Sequence, residues 1–274
     1  MSLSRLLGLC LVGATALTLT CPPSMAAGPR VISLDQCADQ YVLALVPRSD
    51  IAGLSYRSDD ADSYLRDQAA GLPRRRATLE SVLASRAGVA VRYWGGDELM
   101  ARRLAVRAVK VVKIDDAETF DAVRSNIRNV AAALGRPEAG KALAASMDRE
   151  LASARDAWTG QRALYLTPGG FTAGPDKLVG AMISGAGLRD AAEGPGYAPV
   201  SLERLVSRPP DAFVLGFFDR GSLAGQRWSI GRHEALRRTM AGRTLAELPA
   251  SILGCPAWFA ADGPRALAAA RPRP

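Results

Sequence analysis

Histidine is almost missing from this chain: among 274 residues there is one, His233. A zinc site of the His-rich kind is therefore out of reach, and His233-Glu234 lacks the second His of the helical metalloprotease motif. A Ser-His-Asp triad would have to use this one residue, and no serine occupies a Gly-x-Ser-x-Gly elbow. The nearest match, Gly53-Leu54-Ser55-Tyr56-Arg57, fails at its last position. His233 reads as a helix-start or surface residue. Complete phosphate motifs are also lacking. Residues 135–142, GRPEAGKA, have Walker A spacing but put Ala142 where a magnesium-binding hydroxyl is needed, and Gly185-Ala186-Gly187 lacks the third glycine of a dinucleotide loop. Both read as turns. The arginines are scattered, with one tight cluster, Arg74-Arg75-Arg76, and no aromatic-interleaved basic ribbon, so this cluster reads as a solvated surface and no nucleic-acid partner is expected. No catalytic residue, metal ligand or cofactor is assigned, and the chain is expected not to be an enzyme.

Cysteine is sparse too. Of the 4 cysteines, Cys10 and Cys21 fall in a leader-like stretch, residues 1–26, in which Arg5 is the only charge, Leu6 to Leu19 is mostly apolar and Ser24-Met25-Ala26 is a small-x-small cleavage site. The stretch reads as a cleavable secretory signal peptide, so the chain is expected to be exported. Gly13, Thr15 and Thr18 interrupt its apolar core, which is shorter than the ~20 residues a membrane span needs. Leu19 and Thr20 before Cys21 do not make a lipobox. Cys37 and Cys255 remain, in an oxidising compartment where they either pair or stay as separate buried thiols. The formal charge of +8 falls by one when Arg5 is lost, and the basic balance favours a small anionic ligand.

Two stretches carry the organisation. Residues 78–94, TLESVLASRAGVAVRYW, and residues 201–218, SLERLVSRPPDAFVLGFF, share one plan: a Thr or Ser cap, an acid in the first helical turn, a turn, then an apolar strand ending in aromatics. Around them the pattern predicts strands at 30–34, 51–54, 109–114 and 163–166. It predicts helices at 38–45, 97–105, 177–184 and 233–240, and a closing helix to about residue 270. Short extended pieces are expected near Leu245 and Ile252. Residues 117–158 show no strand signal and read as two helices broken at Gly135-Arg136-Pro137, the second running from Glu138 to Trp158. Alternating strands and helices on both sides of a long helix predict an α/β fold with parallel sheets in two lobes.

The aromatics fall where such a fold binds ligands. Tyr56, Tyr93, Trp94, Phe171, Phe217 and Phe218 lie at or just past the C-terminal ends of predicted strands, and open parallel sheets bind ligands outside those ends. Tyr197 in a Gly- and Pro-rich loop joins them, with Arg57, Arg92, Asp219 and Arg220 as polar company. An alternative is a secreted two-lobed enzyme acting on a small anionic substrate in the same cleft, using Asp59, Asp60, Asp97 or Asp219. A third is a sensor or adaptor that binds a peptide there.

Residues 30–45 (RVISLDQCADQYVLAL), the repeated TLESVLAS and SLERLVSR segments, the Leu134-Gly135-Arg136 break and His233-Glu234-Ala235-Leu236 together resemble the periplasmic binding proteins of ABC importers for ferric siderophores, haem and cobalamin. The resemblance covers nearly all of the chain after the signal. It implies an N-terminal lobe at 27–137, a rigid linker helix at 138–158, a C-terminal lobe at 159–274, and a ligand cleft between lobes with little hinge motion. It also implies that Glu80 and Glu203 dock on arginines of a transmembrane permease dimer, and that Tyr56, Trp94 and Phe171 face a metal chelate or corrinoid. Trp94 precedes a Gly-Gly as in the cobalamin-binding member. The first repeat departs from the second in having Ala87-Gly88 where the second has Pro210-Asp211. Haem iron would need Tyr56, Tyr93, Tyr197 or His233, whereas Arg57 and Arg92 favour an anionic ferric chelate over neutral cobalamin.

Overall fold

The computed structural model describes residues 29–218 and 233–271; the predicted signal with Cys10 and Cys21, as well as Asp219 and Arg220, lies outside the described residues. Strand β1 (Val31–Ser33) leads into helix α1 (Gln36–Leu45), and the Asp35 carboxylate caps that helix by accepting from the Ala38 N–H. Strand β2 (Ile51–Gly53) follows, then a short helix α2 (Arg66–Ala69). The first repeat becomes α3 (Leu79–Ala84), capped by Thr78, and β3 (Val89–Tyr93). Next come α4 (Glu98–Ala105), capped by Asp97, and β4 (Lys110–Ile114). These strands form a parallel sheet in the order β2-β1-β3-β4.

Two helices then run back to back, α5 (Phe120–Ala133) and α6 (Pro137–Ala154). Gly135, at φ 71°, ends the first, and Pro137 opens the second. Gly140 lets the two approach closely, since a Cβ there would sit 2.4 Å from that of Ala131. The sequence places the end of the long helix at Trp158; the structure ends it at Ala154. Arg155 turns extended and Asp156 adopts a left-handed φ of 58°, which frees Trp158 to bond the Ala186 and Leu267 carbonyls.

The second half repeats the plan of the first. Strand β5 (Arg162–Leu166) is followed by β6 (Phe171–Ala173), α7 (Leu178–Gly185), β7 (Arg189–Asp190) and β8 (Tyr197–Pro199). The second repeat gives α8 (Leu202–Ser207), capped by Ser201, and β9 (Ala212–Gly216). After the undescribed stretch come α9 (Glu234–Met240), with His233 at its cap position, and β10 (Thr244–Leu248). The sheet order is β10-β9-β5-β7, again parallel, and the repeat strands β3 and β9 are each flanked on both sides. Strands β6 and β8 pair antiparallel in a separate ribbon.

Ile252, expected in an extended piece, lies in a helix, α10 (Ala250–Leu253), that starts directly after Pro249. A 3-10 turn at Trp258–Ala261 precedes the last helix, α11 (Asp262–Ala269). This last segment crosses back to the first sheet. Cys255, Ala257, Phe259 and Ala261 join the core beneath β1 and β3, Tyr64 stacks on Phe259 at 4.2 Å, and the Trp258 ring meets Tyr41 edge-on. Cys37 and Cys255 are disulfide-bonded across 218 residues of sequence. No helix among the described residues is long and apolar enough to cross a membrane.

Candidate functional site

Among the described residues four aromatics are strongly exposed, and each follows the C-terminal end of a parallel strand. They are Tyr56 (53%) after β2, Trp94 (52%) after β3, Phe171 (48%) after β5 and Tyr197 (67%) after β7. Exposing so much aromatic area to water is unfavourable without a partner, by about 25 cal/mol per Å².

Tyr56, Arg57, Tyr93 and Trp94 line one open cavity of about 730 Å³, together with Asp35, Arg75, Arg76, the Gly95-Gly96 turn and, from the returning C-terminal segment, Gly254. Its floor is fixed from below by two carboxylates. Asp35 accepts from the Ala38 N–H at 2.8 Å and from the Tyr93 N–H at 2.7 Å, so one side chain ties the start of α1 to the end of β3. Fully buried Asp39 accepts from the Ser33 hydroxyl, the Ser55 N–H at 2.8 Å and the Ser55 hydroxyl at 2.5 Å, which anchors the residue just before Tyr56. Burial raises the pKa of both; for Asp39 it outweighs the bonds from Ser33 and Ser55 and pushes the carboxyl up to about 6.

The walls are basic. The Arg76 guanidinium lies 5.7 Å from the centre of the Tyr56 ring, and Arg57 bonds Asp60 at 2.9 Å and Asp62 at 3.3 Å. The arginine cluster is thus not simply a solvated face: Arg74 pairs with Asp59 at 2.6 Å, but Arg75 and Arg76 line the cavity. The cause is a parallel bridge between Leu54 and Arg74, which carries the next residues alongside the Tyr56 loop. Arg92 departs from expectation in the other direction. It is 4% exposed, paired with Glu98 and packed beneath Gly96, so it supports the turn instead of facing ligand. Asp59 and Asp60 are in ion pairs, and Asp97 caps α4 by accepting from the Met100 N–H. Each of the three is thus engaged in a local structural contact.

The other predicted residues do not line this cavity. Phe171 and Tyr197 sit on the β6-β8 ribbon, which reaches the first half through Lys177: its ammonium bonds Glu118 and lies 5.8 Å from the Tyr197 ring centre. Burial and the nearby Asp116 and Glu118 raise the Tyr197 pKa, with Lys177 opposing them. Asp116 also accepts from the Tyr93 hydroxyl, so the loop between β4 and α5 touches both sides. Phe217 is half-buried at a left-handed φ of 64°, and Phe218 packs partly against the second core. His233 is exposed and remote from these contacts in the chain order, and no metal-ligand cluster occurs among the described residues. Glu80 and Glu203 are both exposed in first helical turns and have no ion-pair partner among the described residues.

Two parallel-sheet halves sharing a long helix, with aromatics at the strand ends, define a two-lobed binding protein. A family profile described as periplasmic binding protein matches residues 91–244. The chain belongs to this family, whose members bind and transport substrates and are not enzymes. No match is found among curated proteins. Among solved structures it is similar to the periplasmic heme-binding protein RhuT from Roseiflexus sp. RS-1, at 24% identity over 89% of this chain and 97% of that one, with a TM-score of 0.69. It is also similar to the periplasmic heme-binding protein BhuT in complex with two hemes, at 25% identity over 89% and 99% of the chains, TM-score 0.67. The vitamin B12 binding protein BtuF of Vibrio cholerae aligns at 18% identity over 89% and 96%, TM-score 0.64.

Proposed function

We propose that this chain is an exported solute-binding protein that captures a planar metal tetrapyrrole, haem foremost, and hands it to the permease of an ABC importer. The observation that carries this reading is the set of exposed aromatics at the strand ends, with Arg75 and Arg76 beside Tyr56 in a 730 Å³ cavity. Flat rings offer contact area to a macrocycle, and guanidinium groups suit its carboxylates. Within the range expected from sequence, a ferric siderophore or a related metal chelate or corrinoid, the ligands named for RhuT, BhuT and BtuF support a tetrapyrrole. Tyr56 is the phenol best placed to reach iron: its hydroxyl has no hydrogen-bond partner among the described residues, and Arg76 would balance the charge of an iron-bound phenolate. Tyr93 is instead committed to Asp116.

Delivery rests on Glu80 and Glu203, offered by matching helices of the two lobes to the two subunits of a permease. The lobes correspond to residues 27–137 and 159–274 about the linker helix, with residues 255–261 returning to the first. That return and the disulfide favour a rigid pair of lobes, and residues 1–26 would serve as a cleaved export signal. Tyr56→Phe tests the ligand assignment. It is expected to change the absorption spectrum of the haem complex, whereas Tyr93→Phe leaves it unchanged; an unaltered Tyr56→Phe spectrum overturns the assignment.

A further inference from the structure

Strand β7 is only two residues long, so beyond Asp190 the outer edge of β5 has no neighbouring strand among the described residues. The chain instead arches away through Glu193 and Gly194 to β8, and between this arch, β5 and α8 lies a second cavity of about 550 Å³. It shares none of its lining with the aromatic cavity. Its inner wall is apolar, with Leu164, Val200 and Leu205, and its polar lining is dominated by three arginines, Arg162, Arg204 and Arg208. Two carboxylates answer them in part: Glu193 pairs with Arg204, and Asp211 accepts from the Arg162 backbone N–H at 2.7 Å. The guanidinium groups of Arg162 and Arg208 have no ion-pair partner among the described residues. Thr172, 7% exposed, also lines the cavity, and its hydroxyl makes no hydrogen bond among the described residues. A hollow that joins an apolar wall to exposed, unpaired guanidinium groups and an unsatisfied buried hydroxyl offers a ligand both apolar contact and donors that lack acceptors.

We infer that this cavity is a second ligand site, distinct from the aromatic cleft, that takes a small organic anion with an apolar body and a carboxylate head. The body lies on Leu164, Val200 and Leu205, and the head meets Arg162 and Arg208. Because Ser201, Arg204 and Arg208 flank Glu203 along α8, occupancy neutralises charge beside a helix offered to the permease.

Octanoate, octanol and inorganic phosphate serve as probes on the intact chain, by calorimetric titration and thermal unfolding. Octanoate is expected to bind saturably and raise the unfolding temperature, with octanol and phosphate each binding at least tenfold more weakly, since each supplies half of the recognition. Arg162→Ala with Arg208→Ala is expected to weaken octanoate at least tenfold while unfolding stays cooperative, and Trp94→Ala is expected to leave octanoate binding unchanged. The inference is overturned if octanoate does not saturate, if its affinity survives the double arginine variant, or if it falls with Trp94→Ala, which would place it in the aromatic cleft.

Discussion

Removing the disulfide should cost more than any single contact in the molecule. Cys37 and Cys255 close a loop spanning 218 residues, with their Cα atoms 5.4 Å apart. Loop-closure entropy for so long a loop gives an upper value of about 5 kcal/mol, and measured losses of native disulfides run at about 2–5 kcal/mol. The native state need not collapse with the bond: Tyr41 still donates to the Pro256 carbonyl at 3.1 Å, Tyr64 to Asp262 at 2.8 Å, and the Tyr64–Phe259 stack remains. The effect therefore acts mainly on the unfolded chain. For a chain of this length each kcal/mol moves Tm by roughly 2–4 °C, so Cys37→Ala with Cys255→Ala should lower Tm by roughly 5–20 °C. Calorimetry on oxidised protein, reduced protein and the double variant tests this, the last two being expected to melt together and to bind ligand about as well as the first. A double variant melting within about 2 °C of the oxidised protein would refute the reasoning.

Three further outcomes follow from the cavity floor and the two helices. Gly96→Ala places a Cβ 2.6 Å from Arg92 Nη1 and must disturb the Arg92–Glu98 pair, for an expected loss of about 1–2 kcal/mol in denaturant unfolding with a shifted Trp94 emission; neither change would deny Arg92 its supporting role. Asp39 binds its proton more tightly folded than unfolded, so its contribution to stability is fully present below about pH 4 and is lost as pH rises through about 6. Between pH 7 and pH 5 it should add about 1 kcal/mol, with the partly buried Asp35 acting in the same direction, and Asp39→Asn should flatten that part of the stability profile; an unchanged profile contradicts the assignment. Glu80→Arg with Glu203→Arg should abolish ligand uptake by cells while leaving affinity intact, and normal uptake would remove their docking role.

The elements that sequence made legible are those signalled locally. Thr78 and Ser201 each cap the helix they were expected to open, Asp97 caps the helix whose start was read at its position, and the apolar runs at Val89 and Ala212 became inner parallel strands. Gly135 and Gly187 hold the left-handed turns that imitate phosphate loops in sequence. What was hidden depends on distant pairing. Phe171–Ala173 and Tyr197–Pro199 are too short and too rich in flanking Gly and Pro to announce a strand, and they become one only by meeting each other. Arg75 and Arg76 reach the cavity only because Leu54 bridges Arg74, and Cys255 reaches Cys37 only because the C-terminal segment recrosses to the first core. Tyr56, Tyr93 and Trp94 were found together because strand ends of one parallel sheet converge by construction, whereas Phe217 and Phe218 follow a strand end of the other sheet and turn elsewhere.

The central claim is capture of a tetrapyrrole in the aromatic cavity. Titrating the chain from residue 27 onward with haem, cobalamin, ferric citrate and a ferric siderophore, while following tryptophan emission and haem absorption, tests it most directly. The account predicts saturable quenching by haem, reduced at least tenfold in affinity by Trp94→Ala with Tyr56→Ala, and weaker responses to the two ferric chelates. The absence of a saturable response to either tetrapyrrole would contradict it.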